Sequence, residues 1–225
     1  MIKKIYNILY KAYGPQGWWP LTPRGGVESL HHQGCPQTDR DRFEICCGAI
    51  LTQNTNWKNV EKALKGLSER KLVDPARLRR VKKDKIAGLI RSAGYFNQKA
   101  ERLLLIGKKF EEMKDFSRDE LLGLKGVGPE TADSMLLYAF EKESFVVDAY
   151  TKRIFSRLGL CGPDAGYDEI QKMFVDGLRN KKNKLEVYKE YHALIVEHAK
   201  RYCKTKPECD GCGLICRFRH VGRDL

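Results

Sequence analysis

The 225-residue sequence has no apolar run approaching the ~20 residues that a membrane-spanning helix needs. Its opening, Met1-Ile2-Lys3-Lys4-Ile5-Tyr6, has no long apolar stretch followed by a small-residue cleavage site, so neither a membrane-embedded nor an exported protein is expected. Period-2 alternation with turn signals is missing as well, which argues against a sheet, and no solenoid-length repeat or low-complexity tail is present. Acidic residues are short relative to basic ones. Asp plus Glu number 29 against 42 Lys plus Arg, leaving a net charge of +13. Hydrophobic residues reach 42%, enough for a packed core, so wholesale disorder is excluded. What remains is a soluble, cytoplasmic, strongly basic protein. Such an excess of positive charge concerns partners more than fold. Nucleic acid is the obvious polyanion, and a solubilising surface or heat adaptation is the competing explanation at 32% charged residues.

The eight cysteines are unevenly spread. Cys203, Cys209, Cys212 and Cys216 crowd the C-terminal end as C-x5-C-x2-C-x3-C. Without an export signal, a disulfide framework is not expected and four local thiols read as a metal site. Structural zinc usually takes two chelating pairs separated by a longer loop. One tight pair flanked by single cysteines suits the four corners of an iron–sulfur cube better, with zinc as the alternative. Pro207 and Gly211 supply turns within that loop. Cys46 and Cys47, inside an apolar stretch, read as buried small hydrophobes, and Cys35 and Cys161 receive no role.

Apolar spacing predicts helices throughout, hence an all-α fold. Ile2, Ile5, Ile8, Leu9 and Ala12 mark the first, stopped by Gly14-Pro15. Asp39 or Asp41 is expected to cap the next, Asn56 a helix over 57–68, and Asp74-Pro75 another. Further helices are expected over roughly 82–92, 97–114, 117–123, 129–140, 149–159, 167–178 and 185–201. The most informative stretch lies between two of them. Ser117 and Glu120 form a capping box, and Leu124-Lys125-Gly126-Val127-Gly128 then turns into Pro129-Glu130-Thr131. Two glycines around an anchoring valine permit a tight turn whose amides, with those of the helix start, suit an anion such as a DNA phosphate.

Leu124-Lys125-Gly126-Val127-Gly128-Pro129-Glu130-Thr131-Ala132, followed by Val146-Val147-Asp148-Ala149-Tyr150-Thr151-Lys152-Arg153, resembles the helix-hairpin-helix, Gly/Pro-rich loop and aspartate of the HhH-GPD DNA glycosylases, the endonuclease III superfamily. Gly48 to Thr55, Ala93 to Ala100 and His192 to Val196 are similar in place and order, so the resemblance runs from about residue 40 onward. It implies two helical lobes with a cleft between them. Residues 34–143 would form a six-helix barrel domain with the hairpin; 1–33 and 144–225 would form a second helical domain holding a [4Fe-4S] loop over 203–216. The family's usual cluster spacing, C-x6-C-x2-C-x5-C, has longer outer intervals than this chain.

The resemblance also implies roles. Asp148 would be the catalytic carboxylate, its rival duty being an N-cap. Gly126, Val127 and Gly128, with Lys125 and Thr131, would contact the DNA backbone, and Gln53 would enter the duplex. Bifunctional members carry a nucleophilic lysine two residues past the second hairpin glycine; here that residue is Glu130, so strand cleavage by that route should be absent or weak. The adenine-mismatch branch places a catalytic glutamate where this chain has Gly48. Trp18-Trp19-Pro20 and Trp57 instead resemble the base pocket of the 3-methyladenine DNA glycosylase III subgroup, in which a glutamate replaces the lysine. Cationic alkylated purines stack well on electron-rich rings and leave without a general acid. Core packing is the rival reading for the tryptophans, closest for Trp57.

The expectation is a monofunctional glycosylase releasing alkylated purines of the 3-methyladenine type from damaged double-stranded DNA. It would act as a nucleoid-associated monomer, with Lys204, Lys206 and Arg217 on a basic cluster loop. The alternatives are a bifunctional glycosylase/lyase acting on oxidised pyrimidines, a lesion binder without turnover, and an electron-transfer protein.

Overall fold

A computed structural model describes residues 1–23, 25–31, 34–112 and 115–216. Among these the architecture is all-α; the one extended pairing is an isolated antiparallel bridge between Leu21 and Leu30. The helices are α1 (Ile2–Tyr13), α2 (Asp39–Leu51), α3 (Trp57–Ser68), α4 (Pro75–Leu78), α5 (Lys83–Leu89), α6 (Phe96–Glu112), α7 (Arg118–Leu122), α8 (Pro129–Ser134), α9 (Ala149–Arg157), α10 (Tyr167–Leu178) and α11 (Lys184–Arg201). Two compact units result: residues 17–142, and residues 1–16 with 143–225.

The unit of residues 17–142 is built around α2, which is buried without interruption from Phe43 to Leu51. A helix apolar on every side belongs inside a ring of others, and α3, α6 and the segment after α8 surround it. Cys46 and Cys47 are fully buried there, and burial pushes both thiols up out of the reactive range. The α2 start differs from expectation. Thr38 is the N-cap, and Asp41 completes the capping box as its third residue, so the acid supports the cap rather than forming it. Asn56 and Asp74 cap α3 and α4 through the amides of Asn59 and Arg77. The helix expected over 129–140 is α-helical only to Ser134; Met135–Ala139, fully buried, widens into a π-turn.

Residues 17–23 and 25–31 depart from the predicted division. They were expected with the second domain, yet they group with the barrel helices, and a buried acid holds Thr22 there. Glu44 of α2, fully buried, accepts from the Thr22 amide (2.8 Å) and hydroxyl (2.6 Å). Its other carboxylate oxygen lies 3.4 Å from Arg40, which also donates to the Thr22 carbonyl. Burial pushes the Glu44 carboxyl up, with Thr22 and Arg40 opposing.

In the unit of residues 1–16 and 143–225, Phe145, Phe155, Phe174 and Tyr191 form an aromatic core, with the Phe145 and Phe174 rings stacked at 4.0 Å. The Tyr191 hydroxyl donates to the Ile2 carbonyl (2.9 Å), fastening α11 to α1. Burying such rings contributes about 1.5–3 kcal/mol each, and Phe145, Val146 and Val147, all buried, lead into Asp148.

Candidate functional site

The hairpin is a rigid backbone device. The Ser117–Glu120 capping box opens α7 as predicted. The Val127 amide donates to the Leu124 carbonyl (3.0 Å), Gly126 sits at φ +82°, and Val127 is anchored at 7% exposure. Fully buried Asp133 takes Arg118 bidentately (2.9 and 3.2 Å), locking α7 to α8. Gly128 is the N-cap of α8 and offers no side chain to its amides. A Cβ at Gly128 would meet nothing within 4 Å, so this side of the turn faces open space. Glu130 is exposed in the first turn of α8, where its charge suits the helix dipole. Exposed Lys125 is paired with Glu101 (2.9 Å), which lies below the ordinary glutamate range because of that lysine.

Gln53 is part of the same assembly. Its Nε2 donates to the Gly126 carbonyl (3.0 Å) and to Thr131 Oγ1 (2.9 Å), while Arg102 of α6 donates to its Oε1. The Arg102 guanidinium occupies the space a Cβ on Gly126 would fill. Nearby, buried Lys99 donates to the Leu51 carbonyl (2.9 Å) and the Ala93 carbonyl (2.7 Å). Burial, then the Arg102 charge, pushes its amine down to about 8. Lys99 thus holds the C-terminus of α2 from which the Gln53 loop departs.

The tryptophans form one cluster, not arranged as expected. Trp19 packs edge-on to Trp57 (centroids 5.2 Å) and against Tyr138 (5.2 Å), while Trp18 adjoins Trp19, Trp57, Tyr138 and His31 at 5.9–6.5 Å. Trp19 is 5% exposed and Pro20 is buried, whereas Trp18 and Trp57 keep some surface. Trp57, for which core packing was the closest rival, keeps some surface, and Trp19 is the buried member of the cluster. The indole of Trp19 lies on Gly48, where a Cβ would sit 3.1 Å from Nε1 and Cζ2. The indole N–H groups of Trp19 and Trp57 are buried without an acceptor.

Asp148 caps α9 and is itself held. Its Oδ1 accepts from the Thr151 amide (2.7 Å) and hydroxyl (2.8 Å), and its Oδ2 lies 3.6 Å from Nε2 of buried His192 on α11. Burial is the largest single influence and raises the carboxyl. The His192 imidazole and the two Thr151 donors together outweigh it and hold Asp148 below the ordinary aspartate value. An ionised carboxylate with one oxygen fixed and the other beside an imidazole can face a developing positive charge.

Cys203, Cys209, Cys212 and Cys216 line one pocket with His198, Tyr202 and Arg157. Burial pushes the Cys212 thiol up, and the sulfurs of Cys216, Cys209 and Cys203 add to it, as converging thiols do. Arg157 donates to Cys203 Sγ (3.2 Å) and to the carbonyls of Lys204 and Thr205, and Arg153 donates to the Cys203 carbonyl. Among the described residues no three His, Cys, Asp or Glu side chains gather closely enough for a single metal ion. These four thiols are the side chains available to hold a metal centre there. Lys204 and Lys206 are exposed, Lys204 pairing with Glu208 (2.7 Å), and Arg217 lies outside the described residues.

Sequence reasoning assigned no role to His192, Arg102, Glu44 or Tyr138. His192 and Lys99 fall inside stretches quoted for their family resemblance, a usable signal. Arg102 and Glu44 carry none, since each acts on a partner 22 to 49 residues away.

The sequence pattern of the HhH-GPD superfamily of base excision DNA repair proteins matches residues 47–180. The chain belongs to this superfamily. It is 47% identical over 225 aligned residues to a Methanocaldococcus jannaschii protein assigned by name alone as a DNA repair glycosylase, covering 94% of this chain and 93% of that one. Endonuclease III of Thermotoga maritima is 32% identical over 190 aligned residues, covering 80% and 84%. Among solved structures, a Helicobacter pylori 3-methyladenine DNA glycosylase bound to 1,N6-ethenoadenine superposes with a TM-score of 0.72 at 26% identity, covering 89% of this chain and 97% of that one. The HhH-GPD chain is thus a DNA glycosylase of base excision repair whose partner is DNA carrying damaged bases. No described helix is long and apolar enough to cross a membrane.

Proposed function

We propose that this HhH-GPD glycosylase is monofunctional and hydrolyses the N-glycosidic bond of alkylated purines of the 3-methyladenine type. The observation that carries the reading is Asp148, kept ionised inside the protein by His192 and Thr151. Breaking the C1′–N bond builds positive charge on the deoxyribose. A fixed carboxylate stabilises that charge and orients or deprotonates the attacking water. No amine stands at the hairpin position that would attack the sugar, because Glu130 occupies it. Hydrolysis is then the outcome, with strand cleavage absent or weak.

The hairpin amides around Gly126, Val127 and Gly128 hold backbone phosphate regardless of sequence, and Gln53 fills the gap left by the extruded nucleotide. Trp18 and Trp57 offer ring surface to the extruded base, backed by Trp19 and Pro20. A cationic base gains about 0.5–2 kcal/mol on each such face. Cys203, Cys209, Cys212 and Cys216 hold a [4Fe-4S] cluster that orders the loop carrying Lys204 and Lys206 and takes no part in bond breaking. The protein acts as a monomer on the nucleoid.

A second reading, a bifunctional glycosylase/lyase acting on oxidised pyrimidines, draws on the 32% identity to endonuclease III of Thermotoga maritima. Duplexes bearing either 3-methyladenine or an oxidised pyrimidine, assayed for released base with and without borohydride, separate the two. Release of methylated purine with no trapped adduct supports the first reading. Release of oxidised pyrimidine, or a borohydride-trapped protein–DNA adduct, overturns it.

A further inference from the structure

Gln53 spends every polar group of its amide on the hairpin assembly. Nε2 donates to the Gly126 carbonyl and Thr131 Oγ1, and Oε1 accepts from Arg102. Arg102 also lies across Gly126, filling the space a side chain there would take. Its neighbour Glu101 holds Lys125 on the other side of the turn. Two adjacent residues of α6 therefore grip the hairpin, one through an exposed ion pair and one through Gln53. A glutamine anchored by three hydrogen bonds cannot at the same time enter a duplex.

We propose that Arg102 is a positioning residue that acts as a latch: it holds Gln53 on the hairpin until a phosphodiester oxygen arrives at Gly126 and takes over the guanidinium. The inference rests on the reading of the hairpin as the phosphate site and of Gln53 as the gap filler. The Gln53 amide oxygen is neutral, whereas a phosphodiester oxygen carries charge and its phosphate can be held bidentately by a guanidinium, so a phosphate competes with Gln53 for Arg102. The same hairpin amides that attract the phosphate lie beside the guanidinium. Contact with the backbone then licenses insertion of Gln53, and the side chain stays folded away when no duplex is present.

The test compares affinity of the full chain for two duplexes, one intact and one carrying a tetrahydrofuran abasic analogue as a stable gap. The readout is the ratio of gapped to intact affinity. Arg102→Ala should lower intact-duplex affinity while raising the ratio about tenfold, the worth of one hydrogen bond to a charged donor. Arg102→Lys keeps the cation without the forked donor. It should restore intact-duplex affinity yet leave the ratio raised, and its thermal melt reports whether the fold is kept. In a Gln53→Ala background neither change should move the ratio. A ratio that stays level or falls in Arg102→Ala, or rises equally without Gln53, overturns the latch. The hairpin reading has its own control in Gly128→Ala, whose methyl meets nothing in the protein. Reduced intact-duplex affinity there supports the phosphate site, and unchanged affinity overturns it.

Discussion

Helices α8 and α9 begin from nearly the same backbone conformation. Gly128 stands at φ −95°, ψ 178° and Asp148 at φ −99°, ψ 179°. Each helix start exposes amides and the positive end of a dipole, equivalent to about half a charge. At α9 the chain supplies the answering anion itself, and the Thr151 donors are spent on Asp148. At α8 the cap has no side chain, and the space beside it is open. One start has internalised its negative charge and so stabilises a carboxylate; the other has no side-chain anion of its own. In the function we propose, that difference separates an acid held for chemistry from a seat for phosphate.

The comparison breaks first at Asp148. Asp148→Asn keeps an oxygen for the Thr151 donors but loses the charge, so base release in single-turnover assays should fall by about a thousandfold or more. Duplex affinity should stay unchanged. Retention of release within tenfold would remove the carboxylate from the mechanism.

Making the first start resemble the second is a smaller perturbation. Gly128→Asp fits sterically and places an acid at the α8 N-cap, so intact-duplex affinity should drop about tenfold through repulsion of phosphate. The fold should meanwhile gain roughly a few tenths of a kcal/mol from the new cap, seen as a slightly higher melting temperature. A variant that binds duplex like the parent would mean that the α8 start receives no phosphate.

The smallest effect concerns pH. Because Asp148 lies below the ordinary aspartate value, its stabilising contribution is complete above about 3.9 and is lost as pH falls through its own lower value. The acid limb of the rate profile should follow it. His192→Gln removes one of the influences that oppose burial, so that limb should move to higher pH, with the rate at neutral pH altered much less. An acid limb that stays in place would detach His192 from the carboxylate.

Legibility followed the range of the interactions. The Asn56, Asp74 and Ser117–Glu120 caps, the hairpin turn and the burial of Cys46-Cys47 could be read because each depends on neighbours in sequence. The α2 cap was misplaced within a local rule, since Thr38 and the two acids after it all suit the position. Residues 17–23 and 25–31 were assigned to the other unit because nothing in that loop signals a buried Glu44 on a later helix. The ranking of the tryptophans failed for a similar reason. Core packing was the closest rival for Trp57, but helix α2 lacks a side chain at Gly48 and the Trp19 indole fills that place. His192 shows the other limit: a family-like stretch pointed at it, and only tertiary proximity gave it a partner.

That filled place couples two distant stretches of the chain. A Cβ at position 48 would lie 3.1 Å from the Trp19 indole, so even a methyl there asks the ring to give by a few tenths of an ångström. A longer side chain at 48 displaces the ring and the loop that carries it, so helix and loop are tuned to each other at this point.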